Sequence, residues 1–175
     1  MMHKYEDLVA KARDIYYKSL ELLERGDYYD AAEKGWCAVE LARKALLVAV
    51  GVPLEKARNL EFSLPIFSRI LKSLGRKDLL DEYYKFDSCL HIRGFYEMVS
   101  TPEEIKRVLN DLGKWLDDME KIIKRISGIN LDKALKIMEK CIKLKRKILQ
   151  ANIEYHAALN ELSLIIKQTL SKEIR

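Results

Sequence analysis

Seven Gly and three Pro interrupt a chain of 175 residues, and after Gly128 there is no further one. A β-rich chain of this length draws on Gly and Pro for its many tight turns, whereas long stretches rich in Leu, Ile, Lys and Glu suit helices. The chain is therefore predicted to be all-α. Its length allows one domain with its own core plus an appendage, and is short for two full domains.

The helices can be read from apolar spacing. Tyr5, Leu8, Ala12, Ile15, Ser19 and Leu22 recur at steps of three and four, predicting a first helix from about His3 to Arg25. "RGDYYD" ends it: Gly26 can turn left-handed and Asp27 can cap the next helix, making an antiparallel hairpin. The second helix, about Asp27 to Val50, carries Tyr28, Ala32, Gly35, Val39, Ala42, Leu46 and Ala49 on one stripe, whose small members let a neighbour come close. Its last turns, "ALLVAV", are apolar nearly all round and should be the most buried part of the molecule. "VPLEKARNLEFS" reads as an irregular connection, followed by a short helix in "LPIFSRILKSLG" and a longer one from about Lys77 to Val99. In "STPEE", Thr101 is placed to cap, Pro102 to start and Glu104 to complete a capping box. The helix that follows runs through Ile105, Val108, Leu112, Trp115, Met119, Ile122 and Ile126. The expected fold is an antiparallel helical bundle over residues 1–128 with a basic helical extension over 129–175.

That extension holds the whole positive excess. From Ile129 onward there are ten Lys plus Arg against five Asp plus Glu, in a chain of net charge +5. Ala134, Met138, Cys141, Ile148, Tyr155, Leu159, Leu162, Ile166 and Leu170 follow a heptad seam, with Lys145 and Asn152 as polar members. Forty helical residues would span roughly 60 Å, longer than a compact bundle of this size covers. The helix is thus expected either to pair with a second copy of the chain, the favoured reading, or to break near Gln150 to Asn152 and fold back.

The longest uncharged run, Ala45 to Leu54, falls far short of the roughly 20 residues that cross a bilayer. The N-terminus turns charged and amphipathic at once, unlike a signal peptide. A cytoplasmic protein without a membrane span is expected. Cys37, Cys89 and Cys141 are odd in number and far apart, which suggests small buried hydrophobes rather than disulfides or a zinc site. No P-loop, nucleotide-binding glycine motif or H-E-x-x-H appears, so no metal and no cofactor is expected.

"GDYYDAAEK" at the corner and "AVELARKALL" from Ala38 to Leu47 resemble the second helix of HEPN domains, the helical superfamily of prokaryotic toxin and RNA-processing systems. The similarity is closer still to the PaREP1-type proteins of archaea, in which a later helix carries a short "LH..FYE" signature; here "LHIRGFYE" stands at Leu90 to Glu97. The resemblance covers roughly residues 3 to 127 and leaves the basic extension aside. A Gly-Asp-Tyr corner followed by alanines also occurs in tetratricopeptide helix pairs, but the corner does not recur about 34 residues later, as that architecture requires.

Active HEPN ribonucleases resemble one another in an arginine followed, after four to six residues, by a histidine near a dimer interface. Arginine's planar fork suits phosphate, and histidine exchanges protons near neutrality. The fit in this chain is Lys85 with His91, a lysine in the arginine's place, which offers a point charge and no fork. Asp87 lies four residues before His91, on a stripe with Leu80, Tyr84 and Phe95. It could orient the imidazole as half of a proton-transfer pair, or simply satisfy a half-buried histidine. The resemblance implies a crevice formed by Glu40, Lys44, Tyr84 and Arg93. Read by spacing alone, Glu40 with Lys44 and Arg93 with Glu97 are ordinary surface ion pairs.

The run "KCIKLKRK" places Lys140, Lys143, Lys145, Arg146 and Lys147 within eight residues, suited either to neutralising phosphates or to a merely solvated helix face. With the altered motif, the resemblance implies a non-catalytic protein with an RNA- or nucleotide-associated binding or regulatory role, to which the heptad seam adds a homodimer. The alternatives are a weak metal-independent ribonuclease, with His91 as acid or base and Lys85 or Arg93 on phosphate, and a helical scaffold for a protein partner.

Overall fold

A computed structural model describes residues 5–129, 131, 136, 137, 139–154 and 157, and every regular element among them is helical. The chain divides into two compact units, Met1–Asp132 and Lys133–Arg175. Six α-helices form the first: α1 (Tyr5–Glu24), α2 (Tyr28–Ala49), α3 (Leu54–Arg58), α4 (Leu60–Ser73), α5 (Lys77–Phe86) and α6 (Pro102–Ile126), with a π-helical segment, Asp87–Tyr96, continuing α5. It extends to residue 131 because the Gly128 and Leu131 amides bond back to the Ala49 and Val50 carbonyls at the end of α2.

Helix α2 is the axis of this unit, with α1 lying along it and α6 and the π segment packed on it. Ala32, Gly35, Val39, Ala42, Leu46 and Ala49 are all buried, as are the seven predicted apolar positions of α6. The small residues act as expected. A Cβ on Gly35 would stand 2.5 Å from Leu109 Cδ2, and one on Gly113 the same distance from the Tyr16 hydroxyl, so these positions let α6 close onto α2 and α1. Trp115, buried in α6, donates its indole N–H to the Leu79 carbonyl at 2.9 Å.

The turns follow their residues. Gly26, Gly51 and Gly75 all take positive φ, and Thr101 and Glu104 make the reciprocal capping box. Three boundaries differ from the sequence reading. Asp27 precedes α2 without a side-chain cap bond; only its carbonyl enters the helix, accepting from the Ala31 amide. The connection after Val50 is not irregular: it forms α3, and α4 starts at Leu60, before the expected Leu64, because the Asn59 side chain accepts from the Phe62 amide. The helix expected to run from Lys77 to Val99 changes to π geometry at Asp87 and stops at Tyr96, and Met98 follows at φ 53°.

In the second unit, residues 139–154 are helical throughout, Gln150 to Asn152 included, so the helix does not break there. Of the expected seam, Ala134, Met138, Tyr155, Leu159, Leu162, Ile166 and Leu170 lie outside the described residues; Cys141, Lys145, Ile148 and Asn152 lie within them and are exposed.

Candidate functional site

The densest polar cluster among the described residues is built on α2 around a side chain that spacing did not single out. Arg43 is completely buried. Its Nε and Nη2 donate to the two Glu40 carboxylate oxygens at 2.7 and 2.9 Å, its Nη1 to Ser63 Oγ at 2.6 Å, and its Nη2 also to the Ala57 carbonyl at 3.1 Å. All three guanidinium nitrogens are thus engaged, which is how a buried charge is tolerated. Glu40 additionally accepts from the Tyr83 hydroxyl at 3.1 Å and pairs with Lys44 at 3.3 Å. Burial alone would raise the Glu40 pKa, but the Arg43 fork and charge, Lys44 and the Tyr83 hydrogen bond outweigh it and hold the carboxyl below its ordinary value. Tyr83, buried against that carboxylate, is pushed well above the usual phenol range.

His91 stands beside this cluster. Its ring stacks on Trp36 of α2, centroids 5.0 Å apart and 22° between planes, and meets Tyr96 edge-on at 4.9 Å. Trp36 in turn leans on Tyr83 at 5.6 Å. The His91 Nδ1 atom is buried with no hydrogen-bond partner. Asp87, four residues earlier, makes no hydrogen bond to it, and both residues lie in the π segment. There the backbone bonds run five residues apart, as from the Glu97 amide to the Ile92 carbonyl. Leu80 on that stripe is buried, whereas Tyr84 is 46 % exposed. Burial raises the Asp87 pKa; His91 opposes that shift and the neighbouring Glu40 charge adds to it. The surroundings of His91 therefore hold two carboxylates, with every nitrogen of the nearby arginine already committed.

Lys85 is drawn to a different element. Its Nζ lies 2.7 Å from Asp111 Oδ2 on α6, an ion pair that places the lysine against that helix and not beside the imidazole. Arg93 reaches Glu104 of α6 at 3.9 Å; the expected pairing with Glu97 does not form. The structure brings Glu40, Lys44, Asp87 and His91 into one neighbourhood and gives Lys85 and Arg93 to α6. Arg43, Trp36 and Tyr83 complete it. The signal for Arg43 was present: a charged residue one turn after Glu40 inside the apolar run of α2 can enter a core only as a fully bonded pair.

Elsewhere in the first unit, a groove of about 240 Å³ between α1 and α6 is lined by Tyr5, Val9, Arg13 and Ile123, and one of about 300 Å³ lies by the α1–α2 corner beside Tyr28, Pro102 and Lys106. Neither includes the His91 cluster. Among the described residues no group of three His, Cys, Asp or Glu is placed to hold a metal ion, and no helix is long and apolar enough to cross a membrane.

In the second unit Lys140, Lys143, Lys145, Arg146 and Lys147 are all exposed. Lys140, Lys143 and Lys147 share one helix face at steps of three and four, and Lys145 and Arg146 lie on others. Ile137, Leu144 and Ile148 form a separate stripe, each 58 to 63 % exposed.

The sequence model of the archaeal PaREP1/PaREP8 family matches residues 7–116, a span that holds the α1–α2 corner, the Glu40–Arg43 pair, His91 and the start of α6. No curated protein and no solved structure matches the chain.

Proposed function

The chain belongs to the archaeal PaREP1/PaREP8 family, and from that premise and the geometry above we propose that it is a non-catalytic, HEPN-like homodimeric protein that binds RNA through its C-terminal helix. The observation that carries this reading is the exposed basic run. Its five cations, Lys140, Lys143, Lys145, Arg146 and Lys147, lie in a stretch that contains no Asp or Glu from Lys140 to Ile153. A helix of this kind neutralises backbone phosphates and releases their counterions, giving affinity that falls with salt and does not depend on sequence. With few aromatics near the run, stacking on bases contributes little.

The His91 cluster supports the non-catalytic half. In-line attack on a phosphodiester needs a cation on the phosphate beside the proton-transferring group. Here Lys85 is paired with Asp111, Arg43 is saturated, and Asp87 and Glu40 bring negative charge where a phosphate would have to sit. His91 is packed between two aromatic rings and serves as a wall of the bundle.

Replacing Lys143 and Arg146 together by Gln should weaken binding to single-stranded RNA about tenfold at low salt and reduce the slope of log affinity against log salt by about two, one per lost phosphate contact. Unchanged affinity in the double variant would move the binding surface elsewhere or remove RNA from the account.

A further inference from the structure

The C-terminal helix carries an orientation signal for the homodimer proposed above, on which this inference rests. Ile137, Cys141, Leu144, Ile148 and Ala151 alternate at four and three residues, a stripe with no charged member. It shares Cys141 and Ile148 with the expected seam and leaves out that seam's Lys145 and Asn152. Ile137, Leu144 and Ile148 are exposed on it, 63, 58 and 62 % respectively, and apolar side chains repeated every seven residues are covered by a second helix with the same repeat. One flank of the stripe holds Lys140, Lys147 and Glu154, seven residues apart. Continued by sequence alone, the same count adds Lys133 before them and Glu161 after, so this flank reads basic in its first half and acidic in its second.

Flanking charges set the direction in which two such helices pair. In a parallel pair the first-half flank would face Lys145 of the partner subunit, like against like, and Glu154 would face no cation. In an antiparallel pair this flank faces its own copy reversed. Lys147 then meets Glu154 of the partner subunit, twice by symmetry. The apolar layer at the centre follows: Ile148 packs on Ala151 of the partner subunit.

We propose that two copies of the chain associate through antiparallel pairing of their C-terminal helices, centred near residues 149 and 150 and held in register by the Lys147–Glu154 pairs. The contact is isologous, so it closes at a dimer. Lys143 and Arg146 stay on the outer faces, and each dimer presents two such basic surfaces.

Cys141 is a built-in reporter. In a parallel pair the two Cys141 residues would share a layer and join under mild oxidation. In the antiparallel pair they are seventeen residues out of step, about 25 Å along the helix, too far apart to join. Purified full-length protein and a Lys147→Cys, Glu154→Cys double variant are to be oxidised at micromolar concentration, with the linked peptides identified by mass and the association state followed by sedimentation. The expected result is a dimer that cross-links between positions 147 and 154 in the variant and not through Cys141 in the parent. Cross-linking between the two Cys141 residues would overturn the orientation while leaving the dimer standing; a monomer in sedimentation would remove the dimer itself. As an independent check, Lys147→Glu or Glu154→Lys alone should weaken association about tenfold and the double exchange should restore it. Failure of the exchange to restore it would also contradict the antiparallel register.

Discussion

Arg43 and Glu40 show what one charged pair does in a helix core. The arginine is wholly buried and tied to α2, α3 and α4 by way of Glu40, the Ala57 carbonyl and Ser63. Its removal leaves the carboxylate of a largely covered Glu40 without its main partner, so Arg43→Ala should cost roughly 3–5 kcal/mol, read as a lower midpoint in urea unfolding. The two carboxylates of the cluster respond to acid in opposite senses. Folding lowers the Glu40 pKa, so its contribution is complete above the ordinary carboxylate value and is lost as pH falls through the folded one. Folding raises the Asp87 pKa, so its penalty is full above the folded value and is relieved as pH falls below it. Asp87→Asn should therefore raise the melting temperature at pH 7 and lose that advantage by pH 4, whereas Glu40→Gln should lower it at pH 7 and approach the parent in acid. At this scale the sequence was only partly legible. Asp87 and His91 are close along the chain and easily noticed, but Arg43 acquires its meaning from Ser63, twenty residues away.

Among the elements, those whose structure is decided locally were readable. The hairpin corner at Gly26 and the capping box at Thr101 follow from one or two residues each, and the α6 stripe is buried at every predicted position. The π segment was not readable, because its period is imposed by packing on α2. Gly94 sits at that crossing: a Cβ there would lie 2.7 Å from the Cys89 carbonyl oxygen and 2.9 Å from the Ala32 Cβ. Neither neighbour is a flexible side-chain end. Gly94→Ala should thus destabilise the fold by about 1–3 kcal/mol, and Gly94→Ala with Ala32→Gly should recover part of the loss in the same unfolding measurement. Full stability in the single variant would mean that the crossing has slack. The misplaced Lys85–His91 pairing has the same origin, since spacing along a helix says nothing of the Asp111 that claims the lysine.

Across the whole molecule, charge is divided between a balanced helical unit and a basic extension, and the functional reading follows that division. The first unit contains a histidine beside carboxylates, with Lys85 given to Asp111; the second presents five exposed cations in a stretch without Asp or Glu from Lys140 to Ile153. Composition made the extension visible at once, while the family's span, residues 7–116, stops before it. The most direct test of a non-catalytic RNA-binding protein is the anisotropy of end-labelled single-stranded RNA, followed over hours with purified full-length protein and repeated across salt. The account predicts a rise that holds steady with time, is reversed by salt, and is the same in His91→Ala. A rise that decays as the RNA is cut, and that His91→Ala makes permanent, would contradict it and make the imidazole a catalyst.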